Sequence, residues 1–327
     1  MSLKKKALYG VFWASLEHFG IQIVTFSVSI VLARVLLPEE FGLIAMLGIF
    51  IGVGNVLINS GLSYSLIRTE KPDEEDFSTV FYFNLMGSVI IYIIIFFSAP
   101  LISDFYNQDI LIPLIRVYSI TFIINSFSTV QTTRLTKYMD FKTQSKITIP
   151  ALIIGSFVGV SMAYSGFGVW SLVWSSISQS LVVTFLLWFW TKWKPLWVFN
   201  IKKFKYHLNY GIKLMFSGII DVIFINSYSI IIGKFFPPAQ VGFYSRADSL
   251  QMFPVRSISS VITKVSFPLF SSIQNDDLRL KSIYKKIMKL VIFIVAPILI
   301  FMSVLGEPLF RFLFTEKWLP AVPYFQI

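Results

Sequence analysis

Nine runs of about 20 or more predominantly apolar residues follow one another along the chain, and a tenth begins near Pro308. They fall at about 8–35, 40–66, 78–99, 111–133, 147–165, 168–191, 208–233, 240–264 and 286–306. As a helix rising 1.5 Å per residue, such a run crosses a hydrocarbon core of about 30 Å. Within lipid, every backbone N–H and C=O must find its partner inside the segment or around a closed barrel. The runs lack the alternation of barrel strands, so an all-α, polytopic membrane protein is predicted. Charge agrees: 14% of the 327 residues are charged, against roughly 25% in a soluble domain.

The net charge of +11 could suggest nucleic acid, but its distribution points to a membrane instead. Of 28 basic residues, 19 lie in alternate connections: Lys4–Lys6; Arg68 and Lys71; Arg134, Lys137, Lys142 and Lys146; five from Lys192 to Lys205; and five from Arg279 to Lys289. The intervening connections at 100–110 and 164–168 have none. The positive-inside rule then places the N-terminus in the cytoplasm. Trp170 and Trp174 at one end of the sixth run, and Trp188, Trp190 and Trp193 at the other, fit two interfacial belts. Leu196–His207 mixes aromatic and lysine residues and is predicted to be an interfacial helix. With no cysteine, disulfides, thiolate metal sites and a cysteine nucleophile are excluded.

An internal repeat divides the chain. Ser27-Val28-Ser29-Ile30, Arg34, Pro38 and Gly42 recur 200 residues later as Ser227-Tyr228-Ser229-Ile230, Lys234, Pro238 and Gly242. Two six-helix bundles in parallel repeat are expected around a central cavity. The bundles are 1–195, an N-terminal lobe, and 208–327, an incomplete C-terminal lobe, joined by the linker 196–207. By repeat arithmetic the second bundle should extend to about residue 400, so the chain is expected to be a fragment.

Polar residues inside apolar runs locate candidate sites. Ser15, His18, Gln22, Thr25 and Ser29 form one stripe along the first helix. Lys213, Ser217 and Asp221 recur every four residues on the seventh. In lipid such stripes line an aqueous cavity or bond to other helices. The second run carries no charge between Phe41 and Ile67, and its Gly48 and Gly52 suggest close helix packing. The acidic run Asp73–Asp76 suits the positive start of a helix. Phosphate-cradling glycine loops, paired-histidine zinc motifs and nucleophile elbows are absent from the sequence.

Several motifs in order, Pro38-Glu39-Glu40-Phe41-Gly42, Asn59-Ser60-Gly61-Leu62, Arg134–Lys142, Gly166–Val173, Gly233–Ala247 and Phe267–Phe270, resemble the polysaccharide transporter family of the multidrug/oligosaccharidyl-lipid/polysaccharide exporter superfamily. The resemblance implies a flippase that carries a polyprenyl-pyrophosphate-linked oligosaccharide from the cytoplasmic to the outer leaflet of a bacterial inner membrane. It implies a transporter rather than an enzyme, with no cofactor or metal, working as a monomeric unit that could contact polysaccharide assembly machinery. A drug or small-cation exporter of the same superfamily is one alternative, and a membrane polysaccharide polymerase or glycosyltransferase another. For an anionic pyrophosphate, Arg256, Arg246 and Lys213 are the expected headgroup-binding cations, the arginines ranking first for their bidentate geometry. His18, Gln22, Thr25, Ser29 and Ser217 would line the cavity. Asp221 and Glu17 would take up a proton or Na⁺ if transport is ion-coupled.

Overall fold

A computed structural model describes residues 3–59, 61–272 and 277–327, with side chains from Phe19 onward apart from Ser60, Arg256 and 260–279. The described residues form helices and contain no strand. The helices are α1 (Leu3–Val35), α2 (Pro38–Asn59), α3 (Leu62–Arg68), α4 (Glu74–Tyr106), α5 (Leu111–Tyr118), α6 (Ile120–Lys137), α7 (Phe141–Tyr164), α8 (Trp170–Thr191), α9 (Ile201–Phe235), α10 (Pro238–Ser272), α11 (Asp277–Val304), α12 (Gly306–Phe314) and α13 (Val322–Gln326).

Among the described residues, seven spans are long and apolar enough to cross a membrane, α5 and α6 together making one of them. Their apolar side chains mostly point outward: Phe97, Phe157, Phe224 and Phe293 are each more than 70% exposed. Water would not tolerate apolar patches of that extent, whereas lipid requires them.

Two elements differ from the sequence expectation. The second run is broken at Gly61, which adopts φ 65°, and α3 follows as a separate short helix. A Cβ there would sit 2.4 Å from the Gly211 carbonyl oxygen, so the tight turn against α9 requires glycine. The interfacial helix expected at 196–207 is not a separate element. Residues 192–200 are non-helical, and the Asn200 side chain accepts from the Lys202 and Lys203 amides. From Ile201 one continuous helix runs to Phe235. An N-cap of this kind starts a helix wherever it stands, and nothing after Lys203 stops it.

The acidic run does occupy a helix start, and it does more than that. Asp73 and Asp76 form a capping box on α4. Lys203 bridges Asp73, Glu75 (3.4 Å) and Asp76 (3.6 Å). The fully buried His207 lies between Ser65 Oγ (2.8 Å) and Asp76 (3.2 Å). Glu74 accepts from Arg134 and from the Trp193 indole, each at 2.6 Å. This network clamps the start of α9 to α3, α4 and α6. The hydrogen bond from Lys203, with the Asp76 cap, holds the Asp73 carboxyl down at about 2, below its ordinary 3.8. A lowered folded-state value stabilises above the unfolded value and is lost as pH falls through the folded one. The stability difference between wild type and Asp73→Asn is therefore expected to be constant above about pH 5 and to vanish between about pH 4 and 2. Unfolding midpoints against pH measure this. A difference that stays constant to pH 2 would contradict it.

At the opposite end, the repeated residues meet each other. A Cβ on Gly42 would lie 1.8 Å from the Pro238 carbonyl oxygen, and one on Gly242 would lie 1.9 Å from that of Pro38. The starts of α2 and α10 thus touch reciprocally, backbone to backbone. Further ties cross the same end. Arg34 donates to the carbonyls of Phe312 (2.5 Å) and Leu313 (2.9 Å), and Lys234 donates to that of Phe105 (2.8 Å). Each capped carbonyl lies in the last turn of its helix, where cations are favoured. The Trp318 indole donates to the Ala33 carbonyl at 2.7 Å. Farther along, Gly48 and Gly52 face Asn226 and Val222 of α9, as the glycine spacing predicts.

Candidate functional site

Helix periodicity brings Gln22, Thr25 and Ser29 onto one face of α1, and that face opens onto α10. Together with Arg246, Ser249 and Phe253 they line a cavity of about 490 Å³. The Gln22 amide also donates to Ser257 Oγ at 2.7 Å. The α1 stripe therefore both lines a cavity and bonds between helices.

Arg246 is the distinctive member. It is only 8% exposed, and its Nε has no hydrogen-bond partner among the described residues. Its guanidinium lies 4.2 Å from the Phe41 ring centroid, 5.4 Å from Phe314 and 5.5 Å from Trp318. Three aromatic faces thus hold a cation at the cavity wall. Packing fixes the cage, because Phe41, Phe314 and Trp318 belong to the cluster built on Ala33, Phe243, Ala247 and Phe310. No carboxylate lines the cavity among the described residues.

The remaining candidates are not gathered there. Lys213, Ser217 and Asp221 are exposed along α9, away from this cavity. Glu17, His18 and Arg256 lie outside the described side chains, with backbones on α1 and α10.

A second polar region was not singled out in the sequence. Asn55 and Asn59 on α2 face Asn125, Ser128, Thr129, Thr132 and Thr133 on α6 across a cavity of about 320 Å³. An adjoining cavity of about 510 Å³ shares four of these residues and adds Ser63 and Tyr64 of α3, Thr136 of α6 and Leu214, Met215 and Gly218 of α9. The signal was present, since residues 125, 129, 132 and 136 recur at helical spacing. It is uncharged, and a search for intramembrane charge passes over it.

Residues 31–323 match the family described as "Polysaccharide biosynthesis protein". The whole chain is 26% identical to the teichuronic acid biosynthesis protein TuaB of Bacillus subtilis, spanning 68% of that protein. It is 24% identical to the lipopolysaccharide biosynthesis protein WzxC of Escherichia coli, spanning 67% of it. Among solved structures, an inward-facing multidrug resistance transporter of the MATE family and MOP superfamily superposes with a TM-score of 0.67, at 17% identity, over 94% of this chain and 75% of the other. The helices are thus arranged as in that transporter fold.

Proposed function

Because this chain belongs to the polysaccharide biosynthesis protein family, we propose that it is a flippase carrying a polyprenyl-pyrophosphate-linked oligosaccharide across the bacterial inner membrane. The observation that carries the reading is Arg246, a buried cation in the wall of a cavity that Gln22, Thr25 and Ser29 also line. A pyrophosphate cannot enter hydrocarbon without a cationic, hydrated surface, since an unpaired buried charge costs several kcal/mol or more. Arg246 supplies the charge, and Gln22, Thr25 and Ser29 supply hydrogen-bonding groups beside it. A small-cation exporter would need an acidic wall, and the described lining is basic.

In this reading 1–195 and 208–327 are two lobes joined by 196–207, and the Arg246 cavity lies between helices of the two. The lobes meet at the Pro38–Pro238 end and admit the lipid from the basic end, which faces the cytoplasm. The carrier needs no cofactor or metal. Arg256 serves as a further headgroup cation, Lys213 meets the headgroup outside the Arg246 cavity, and Asp221 and Glu17 are the acids for proton or Na⁺ coupling. The transport unit is one copy of the protein.

Two measurements test this. In proteoliposomes, the complete protein is expected to move a fluorescent polyprenyl-pyrophosphate oligosaccharide between leaflets, and deletion of its gene to trap that lipid in the cytoplasmic leaflet. Absence of both effects would refute the function. For orientation, Asp109→Cys, exposed beyond α4, is expected to react with an impermeant thiol reagent on intact cells, and Lys194→Cys only after lysis. The reverse pattern would invert the topology.

A further inference from the structure

We infer that the two adjoining cavities between α2 and α6 bind the sugar portion of the transported lipid by accepting hydrogen bonds from its hydroxyls, an inference that rests on the transport reading above. On α6 the hydroxyl protons turn back to the helix's own carbonyls. Thr129 and Ser128 both donate to the Asn125 carbonyl at 2.8 Å. Thr132 donates to Ser128 (3.1 Å), Thr133 to Thr129 (2.8 Å) and Thr136 to Thr132 (3.0 Å). A hydroxyl has one proton and two lone pairs. With each proton turned back to the helix, the oxygens keep acceptor capacity toward the cavity.

The α2 side continues the pattern. The Asn59 amide nitrogen donates to the Asn55 carbonyl at 2.9 Å, leaving its oxygen as an acceptor. Ser63 also lines the second cavity, and its Oγ is buried with no partner among the described residues. Such a group is costly until a ligand or water meets it.

Among the described residues no charged side chain lines either cavity. Among the described residues a phosphate would find neutral amide and hydroxyl donors but no cation there. A wall rich in acceptors fits a neutral ligand rich in donors, which is the chemistry of sugar hydroxyls. Tyr64, 65% exposed at the second cavity, offers an aromatic face for the apolar face of a sugar ring.

Depth also fits. Arg246 lies eight residues into α10 and Asn55 seventeen into α2, and the two helices touch at their starts. At 1.5 Å per residue the two differ in depth by about 13.5 Å, a span within reach of a short oligosaccharide. The pyrophosphate would sit at Arg246 and its sugars would extend toward the basic end.

The test uses the full chain in nanodiscs and two probes: undecaprenyl pyrophosphate, and the same lipid bearing a neutral tetrasaccharide. The substitutions are Thr132→Val with Thr136→Val, which keep side-chain shape, and separately Asn55→Ala. Wild type is expected to bind the glycosylated lipid more tightly. Each variant is expected to lose about tenfold in affinity for it while binding the bare lipid as wild type does, with an unchanged unfolding midpoint. Wild type binding both lipids equally would overturn the sugar subsite and leave transport standing. Wild type binding neither would overturn transport and this inference together. Equal weakening for both probes would make the residues structural. Stabilisation of wild type by Na⁺ that the variants lack would assign the oxygens to an ion and also overturn the inference.

Discussion

Arg246→Ala is expected to reduce lipid flipping by about tenfold to a hundredfold while the protein stays folded. Charge-assisted bonds to phosphate are worth about 1.5–3 kcal/mol each, and Arg246 is the one described cation in its cavity wall. Stability should change little for a buried residue of this size. Among described residues its Nε has no partner and no salt bridge to it is formed, so its removal strands no opposite charge. What is lost is stacking on Phe41, Phe314 and Trp318, about 0.5–2 kcal/mol, and relief of a desolvated charge offsets it. Arg246→Lys keeps the charge but not the planar stack, so an intermediate rate is expected. Initial flipping rates in proteoliposomes, with the unfolding midpoint as control, decide this. A stable alanine variant that flips at the wild-type rate would remove Arg246 from the headgroup site.

Gly42→Ala and Gly242→Ala should each loosen the end at which α2 meets α10. The new Cβ would fall within 2 Å of a proline carbonyl oxygen in both cases. A backbone carbonyl in a helix cannot rotate aside, so the helices must part by at least about 1 Å. Overpacking of this kind costs about 1–3 kcal/mol. Both residues belong to one contact, so the double variant should cost less than the two single ones together. The exposed Glu39→Cys, beside the contact, gives the second readout: its labelling rate should rise in each alanine variant. Wild-type midpoints and labelling in both variants would show that the contact does not hold this end together.

The sequence made the helices legible because apolar length survives any detail of packing. The repeat was legible too, and its Pro38, Gly42, Pro238 and Gly242 are the residues that meet. The α1 stripe led to a real cavity because Gln22, Thr25 and Ser29 stay on one face whatever the neighbours. Other features depended on distant partners. The acidic run read correctly as a helix start, but its ties to Lys203 and His207, about 130 residues away, have no local signature. The turn at Gly61 packs against the backbone of the distant Gly211. The cage around Arg246 draws on Trp318 and Phe314, which hydropathy sees only as more apolar residues.

The reciprocal contact of α2 and α10 is an isologous surface, the geometry by which two copies of one subunit make a two-fold dimer. In such a dimer a single substitution acts on both sides at once. Joined in one chain, the two sides can drift apart, and here they have. Arg34 and its repeat equivalent Lys234 do similar work, but Arg34 grips two carbonyls and Lys234 one. The flanks of the contact are therefore unequal, an asymmetry that no dimer of identical subunits could have.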